Sequence, residues 1–418
     1  MRVLMATAAE KPHFLGMVPS AWALRAAGHE VLVASQPALG PVVTGAGLPF
    51  APVGRDHRFW RTMSALDLHD TLDDVPLFGR VTDPFDQVPW EYLLEGYRRV
   101  VPWWWRMVND PMLDDLVALC RSWRPDLVVW GSVSFAGAVA AEACGAAHVR
   151  YLWGADVFAR TRSRFLRRWA EQPEADREDP LADWLTGRAA RHGVEFSETL
   201  IHGQATIEQI PACLRLPTPP GLNYLPMRYV PYNGRALVPD WLRTPPERPR
   251  VCVTLGTTLM SQGPAGGALF RGLVEGLSDL DVEVVATLPA HEQAELGTVP
   301  GNVRLVDYVP LHALAPTCDA MVDHGGWGTV LTGLDAGVPQ VIVPSWFDDP
   351  MLADMLAREG AAITVPPREM TPGTVRNALS ALLDDSSHAK GAARVRDTMR
   401  GMPSPAALAE ALERWASG

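Results

Sequence analysis

Short, almost continuous apolar runs return along this chain, each followed by a turn and then by residues at helical spacing. In the first half they are RVLMAT (2–7), EVLVAS (30–35) and PDLVVWG (125–131). In the second half they are RVCVTL (250–255), VEVVAT (282–287), VRLVDY (303–308), DAMVD (319–323) and the run at 339–343. Between the first two runs, Phe14, Val18, Ala21 and Leu24 recur at the period of a helix that buries one face, ended by Gly28. Further helices are expected at 265–277, 326–336 and 350–359. Strands alternating with helices in this way build parallel βαβ units.

Two such series in 418 residues call for two domains of roughly 200 residues each. PYNGRALVPDWLRTPPERPR (231–250), with five prolines, has the composition of a linker. The expected division is 1–230, a linker at 231–250, and 251–402. A last helix then opens at Ser404-Pro405 and packs 403–418 back on the first domain. The whole reads as two doubly wound α/β domains with a cleft between them. A net charge of −11 argues against a nucleic-acid partner but says nothing against a small anion. Cys120, Cys144, Cys213, Cys252 and Cys318 are scattered, as expected of reduced thiols in a cytoplasmic protein. The N-terminal apolar run ends at Glu10-Lys11-Pro12 and reads as a strand, not a signal peptide. The apolar stretch 127–149 is broken by Ser132, Ser134 and Glu142 and reads as strand plus helix, not a membrane span.

Open α/β sheets bind ligands beyond the carboxyl ends of their strands. There the second half carries GTT (256–258), VPLHALAP (309–316), HGGWGT (324–329) and PSWFDD (344–349), four loops that should meet on one rim. HGGWGT runs into a helix, whose first N–H groups and partial positive charge suit an anion, and Gly326 and Gly328 would let it come close. His324 adds a side-chain donor, and a phosphate is the ligand this pattern fits. A tight turn with a capping histidine is the alternative. Neither GxGxxG after the first strand nor GxxxxGK[ST] is present. Asp279-Leu280-Asp281 precedes its strand and lies on the wrong rim for a metal, so no metal is expected.

DHGGWGTVLTGLDAGVPQVIVP followed by Asp348-Asp349 resembles the donor-binding signature of GT-B glycosyltransferases. With FLGMVPSAWALRAAGHEV (14–31), MRYVPYNG (227–234), RVCVTLG (250–256) and GNVRLVDYVPLHALAPTC (301–318), the chain resembles actinobacterial transferases that move deoxysugars onto polyketide aglycones. It looks closest to the erythromycin and tylosin branch. The resemblance implies the GT-B fold, two doubly wound Rossmann-like domains with an inter-domain cleft, the first binding acceptor and the second the nucleotide sugar. It implies that His324, Gly325, Gly326, Gly328, Thr329 and Thr257 hold a diphosphate. Val309 and Leu311 would face the nucleobase, and Asp348, Asp349 and Trp346 the sugar. The donor it implies is a dTDP-sugar, used as co-substrate with no cofactor.

His13 matches the family's catalytic histidine, and an imidazole titrates where a general base should; a helix-capping histidine is the alternative. Relatives often place a carboxylate after the PDLVVW-type strand to orient that histidine. Gly131 and Ser132 stand there instead, leaving open whether Ser132, Ser134 or a distant carboxylate does so, or the histidine works unassisted. Asp349 replaces a common glutamine, and with Asp348 it would suit a sugar bearing an ammonium group; an exposed loop acid is the other reading. Residues 56–116 read poorly as regular structure and are rich in aromatics, including WWW at 103–105. Acceptor pocket, partner surface and plain core all fit them. Phe14, Phe78, Trp90 and Ser132 are the acceptor-binding candidates.

Several members of the branch work with an auxiliary protein resembling a haem monooxygenase. Such a partner, or a second copy in a homodimer, is what the resemblance allows. Together these readings describe an inverting transfer of a deoxysugar to a macrolide or aromatic polyketide hydroxyl in antibiotic biosynthesis. The rivals are a non-hydrolysing nucleotide-sugar epimerase and a catalytically silent sugar-nucleotide-binding partner.

Overall fold

The computed structural model describes residues 1–65, 76–256, 264–290, 292–293, 298–344 and 347–417. They form two compact units: 1–210 with 215–228 and 403–418, and 211–214 with 229–402.

The first unit holds β1 (Arg2–Ala6), β2 (Glu30–Ser35), β3 (Phe50–Pro52), β4 (Leu127–Gly131), β5 (Ala147–Tyr151), β6 (Ala205–Glu208) and β7 (Tyr224–Pro226). They make one parallel sheet in the order β3-β2-β1-β4-β5-β6-β7. β4 is buried along its whole length, because helices cover both faces of a parallel sheet. The helix Phe135–Glu142 lies so close to it that a Cβ on Gly137 would stand 2.5 Å from the Trp130 Cβ. The last helix, Pro405–Ser417, packs against the helix Val18–Ala26, and Glu413 meets His29 at 2.8 Å.

The second unit holds β8 (Arg250–Thr254), β9 (Glu283–Thr287), β10 (Val303–Val306), β11 (Ala320–Asp323), β12 (Gln340–Ile342) and β13 (Ala362–Thr364). They form a parallel sheet in the order β10-β9-β8-β11-β12-β13. Val251, Val253, Val284, Val322 and Val341 join Phe270, Leu273 and Leu379 in its core.

All eight strands expected from the sequence are present, with ends moved by no more than two residues. The helix expected over 14–27 is instead two, Lys11–Leu15 and Val18–Ala26, because Pro19 sits in the first turn of the second and restarts it. Residues 56–116 are more regular than they read. Helices Phe59–Ala65, Trp90–Val100, Arg106–Asn109 and the start of Leu113–Trp123 occupy them, with one π-helical stretch at Val101–Trp105. Pro102, which lacks an N–H, falls in that stretch, where the helix register slips. The slip turns the three rings apart: Trp105 is core and Trp103 is half-exposed.

The proline-rich segment 231–250 lies along the second unit. Asn233 accepts the His312 N–H at 2.9 Å, and Trp241 and Leu242 pack on a cluster with Val309 and Leu314. No described helix is long and apolar enough to cross a membrane.

Candidate active site

In each sheet the winding reverses beside the first strand, β1 against β4 and β8 against β11. The loops leaving such a pair splay apart and leave a crevice, which is where doubly wound sheets bind ligands. The loop that leads to His13, after β1, and the histidine–glycine turn, after β11, leave at these points.

In the first unit, the loop after β1 is anchored from its neighbours. Ser134 accepts the Ala8 N–H at 3.0 Å, Gln36 accepts that of Ala9 at 2.8 Å, and Gln36 in turn donates to the Val108 carbonyl at 2.8 Å. The loop ends in the helix Lys11–Leu15, which carries His13 half-buried. Its imidazole lies flat on the Trp153 indole, with centroids 3.8 Å apart and planes 4° from parallel. Burial, helped by the nearby His57, pushes the His13 pKa down to about 3. The ring is therefore neutral at physiological pH. Glu10, three residues before it, accepts the Trp60 indole N–H at 2.8 Å and lies 3.6 Å from His57 Nε2. Burial lifts its carboxyl to about 7, against the lowering effect of the Trp60 bond.

No hydrogen bond joins the Ser132 hydroxyl to His13 among the described residues. That hydroxyl is fully buried and donates to the Tyr151 carbonyl at 3.0 Å. At Gly131 a Cβ would stand 3.0 Å from Thr7 Oγ1, so a larger residue there needs the threonine side chain to give way slightly. Of the other acceptor candidates, Phe14 is wholly buried, Phe78 packs edge-on against Phe158, and Trp90 packs against Phe165. The rings that line the His13 loop come partly from the aromatic segment 56–116, which supplies Phe59, Trp60 and Trp104, and partly from Trp153 and Phe158, which the sequence did not single out. Trp153 meets Phe158 edge-on at 5.5 Å, Phe158 meets Trp104 at 6.3 Å, and Trp104, Phe59 and Trp60 continue the series to Glu10. Only the fold brings Trp153 and Phe158 to the rings of that segment.

In the second unit, β11 ends at Asp323, and His324-Gly325-Gly326 leads into the helix Trp327–Ala336. Gly325 has φ +93°, a conformation costly for any residue with a Cβ, and its N–H turns back to Asp323 Oδ1 at 2.8 Å. That inward bond removes the Gly325 amide from the outward donors. The His324 ring sits between two glycines. A Cβ on Gly256 would stand 2.5 Å from its Cε1, and one on Gly326 2.5 Å from its Nε2. Burial lowers the His324 pKa to about 4, and its Nδ1 is buried with no partner among the described residues. The Thr329 N–H already bonds the Gly326 carbonyl at 3.0 Å. The first-turn N–H groups of Trp327 and Gly328 make no backbone hydrogen bond among the described residues and remain the donors at this helix end. Tyr229 steadies the same turn, its hydroxyl donating to the Gly328 carbonyl at 3.1 Å.

Beside this turn, Trp327 Nε1 donates to Asp348 Oδ2 at 2.8 Å. Burial raises the Asp348 carboxyl to about 6 in spite of that bond. Phe347, just before it, holds φ +56°, rare for a residue with a side chain. Asp349 opens the helix Asp349–Arg358 and is buried, which corrects the exposed-loop reading. The Val309 side chain belongs to the core, so only its peptide groups are offered; Leu311, on the helix Leu311–Leu314, is partly buried against the same cluster. Thr257 and Trp346 lie outside the described residues. Among those residues no group of three or more His, Cys, Asp or Glu is arranged to hold a metal ion.

Two parallel doubly wound units, with the histidine–glycine turn at the switch point of the second, have close counterparts among solved structures. The glycosyltransferase VinC, solved with dTDP, superposes with a TM-score of 0.85 at 40% identity, covering 100% of each chain. The fold is GT-B and the protein is a glycosyltransferase. A family model described as "Erythromycin biosynthesis protein CIII-like, N-terminal domain" matches residues 22–256, and its C-terminal counterpart matches 271–415. The 10-deoxymethynolide desosaminyltransferase of Streptomyces venezuelae is 45% identical over 420 residues, covering 100% of this chain and 97% of the relative. The 3-alpha-mycarosylerythronolide B desosaminyl transferase of Saccharopolyspora erythraea is 42% identical over 421 residues, covering 100% and 99%. The chain belongs to the erythromycin biosynthesis protein CIII-like family of glycosyltransferases.

Proposed function

We propose that this enzyme moves an amino deoxysugar from a dTDP-sugar to a hydroxyl of a polyketide aglycone, with inversion and without a metal, in cytoplasmic antibiotic biosynthesis. The observation that carries the reading is His324, clamped between Gly256 and Gly326 at a helix end whose Trp327 and Gly328 amides make no backbone hydrogen bond among the described residues. A neutral imidazole can give one N–H to a diphosphate oxygen, and the Trp327 and Gly328 amides can give two more. Donors fixed in place stabilise the negative charge that grows on a leaving diphosphate. The names of the two desosaminyl-transferring relatives and the dTDP bound to VinC support the donor class.

In the reaction, His13 takes the proton of the acceptor hydroxyl as that oxygen attacks the sugar's anomeric carbon. The bond from that carbon to the diphosphate oxygen breaks, and dTDP leaves with the electron pair. Val309 would meet the base through its peptide groups, with Leu311 beside it. Asp348 and Asp349 would meet the sugar, their charge suiting an ammonium group. Trp60, Trp104 and Trp153 would form the apolar wall that receives the aglycone. The auxiliary protein and the homodimer remain part of the proposal by family likeness.

Calorimetry with dTDP, followed by turnover of dTDP-desosamine with macrolide and aromatic aglycones, with and without a candidate auxiliary protein, tests the reading. Tight dTDP binding and a glycosylated product are expected. No binding of dTDP, or release of free sugar with no acceptor required, would overturn it.

A further inference from the structure

A base that gains a proton in a buried place needs its ring held and its new charge compensated. In this chain neither task falls to a hydrogen-bonded carboxylate. The residue after β4 is Ser132, spent on the Tyr151 carbonyl, and no described acid hydrogen-bonds His13. The groups that face the ring from neighbouring segments are His57, a like charge when protonated, and Asp56, which acts on His57. Glu10 is held by Trp60, and Lys11 next to His13 is exposed. Asp156, on the Trp153 side, is paired with Arg150. What does touch His13 across a full face is an indole.

We propose that Trp153 is the positioning residue of the His13 base: its face fixes the plane of the imidazole and stabilises the imidazolium formed as the acceptor hydroxyl loses its proton. The inference rests on the reading of His13 as the base. Three observations carry it. The rings are parallel to within 4° at 3.8 Å, a stack and not a chance edge contact. The indole is itself braced from behind by Phe158, whose ring meets it edge-on at 5.5 Å. The backbone beneath it is pinned too: the Leu152 N–H donates to the Ile207 carbonyl at 3.0 Å and Gln209 donates to the Leu152 carbonyl at 3.3 Å. Stacking engages only the face of the imidazole, so both nitrogens stay free at its edge, one to accept the proton and one to meet solvent or substrate. A cation over an indole face is attracted to its π-electrons, so the contact tightens as the charge forms. A hydrogen-bonded carboxylate would occupy one nitrogen permanently; the indole does not.

The test follows the His13 ring protons by NMR against pH in the full-length protein, in wild type, Trp153→Leu and Trp153→Phe. Loss of the indole should move the His13 titration to lower pH by about 0.5–1 and remove the upfield ring-current shift. The phenylalanine variant should recover part of both. A titration unchanged in the leucine variant, or one equally displaced in both variants, overturns the proposal. In turnover, Trp153→Leu should lower kcat by roughly 10-fold, leave the donor KM in place and carry the acidic limb of the kcat profile down with the NMR value. An unchanged kcat, or a loss of kcat with an unmoved acidic limb, overturns the positioning role. His13→Ala with turnover intact would instead remove the base itself, and the NMR arm would still report whether the two rings are coupled.

Discussion

His13 and His324 both stand beside the switch point of their own sheet, His13 beyond its first strand β1 and His324 beyond β11, the strand on the other side of the reversal. Burial keeps both neutral, with pKa values near 3 and 4. Their surroundings differ in kind. His324 is enclosed by backbone: glycines press on it from two sides, its Nδ1 lacks a partner among the described residues, and helix amides stand beside it. His13 is enclosed by side chains, lying on one indole at the end of a series of rings. A backbone cradle suits a group shared by many ligands, such as a diphosphate. A side-chain wall can change from one acceptor to the next without disturbing the sheet behind it. The two rims thus divide what is constant in the proposed reaction from what varies.

Removing each imidazole should break that comparison most sharply. His13→Ala should lower kcat by roughly 10²–10⁴-fold while dTDP still binds with wild-type affinity. His324→Ala should weaken dTDP by about 10–100-fold, the value of hydrogen bonds to a charged group. Stopped-flow turnover and calorimetry on both variants separate the two roles, and equal damage to binding in both would erase the distinction.

Gly326→Ala sharpens it next. The new methyl would stand 2.5 Å from His324 Nε2 and push the ring aside, so the variant should reproduce most of the His324→Ala loss in dTDP affinity. The His13 titration should not move. A Gly326→Ala protein that binds dTDP normally would show that the glycine clamp is not needed.

The second rim should also leave a signature in stability. Burial raises Asp323 to about 7, against the lowering Gly325 bond, and its Oδ2 has no partner among the described residues. A carboxyl whose folded pKa exceeds its unfolded value favours the native state fully below pH 4, and that contribution is lost as pH rises through 7. Asp348, raised to about 6, acts in the same direction. The lowered pKa values of His13 and His324 act oppositely, costing stability as pH falls below 6.5. Asp323→Asn should therefore flatten the decline between pH 4 and 7, by on the order of 2–4 kcal/mol in urea melts. A variant whose pH dependence matches wild type would place the titration elsewhere.

The smallest effect is expected at Ser132. Ser132→Ala loses a buried bond to the Tyr151 carbonyl and should cost about 1 kcal/mol of stability with the acceptor KM unchanged. A raised acceptor KM would return Ser132 to the binding surface.

Periodicity and punctuation determined the fold class here. Eight apolar runs became eight strands, since a strand covered on both faces has to be continuously apolar wherever it folds. The strands that escaped notice, among them β5 and β6, carry Arg150 and Glu208 inside. Those charges are tolerable because Asp156 and Arg215, each on the segment that follows its strand, fold back to meet them. The helix Trp90–Val100 went unread although Trp90, Leu93, Leu94, Tyr97 and Val100 recur at helical spacing, because the proline and tryptophans after it hide the period. The histidine–glycine turn could be read because glycine spacing is local. The stacking partner of His13 could not, because Trp153 reaches it from the loop after β5, far along the chain. Local sequence sets what a segment's backbone can do, whereas side-chain neighbours brought together by the sheet exist only once the chain is folded.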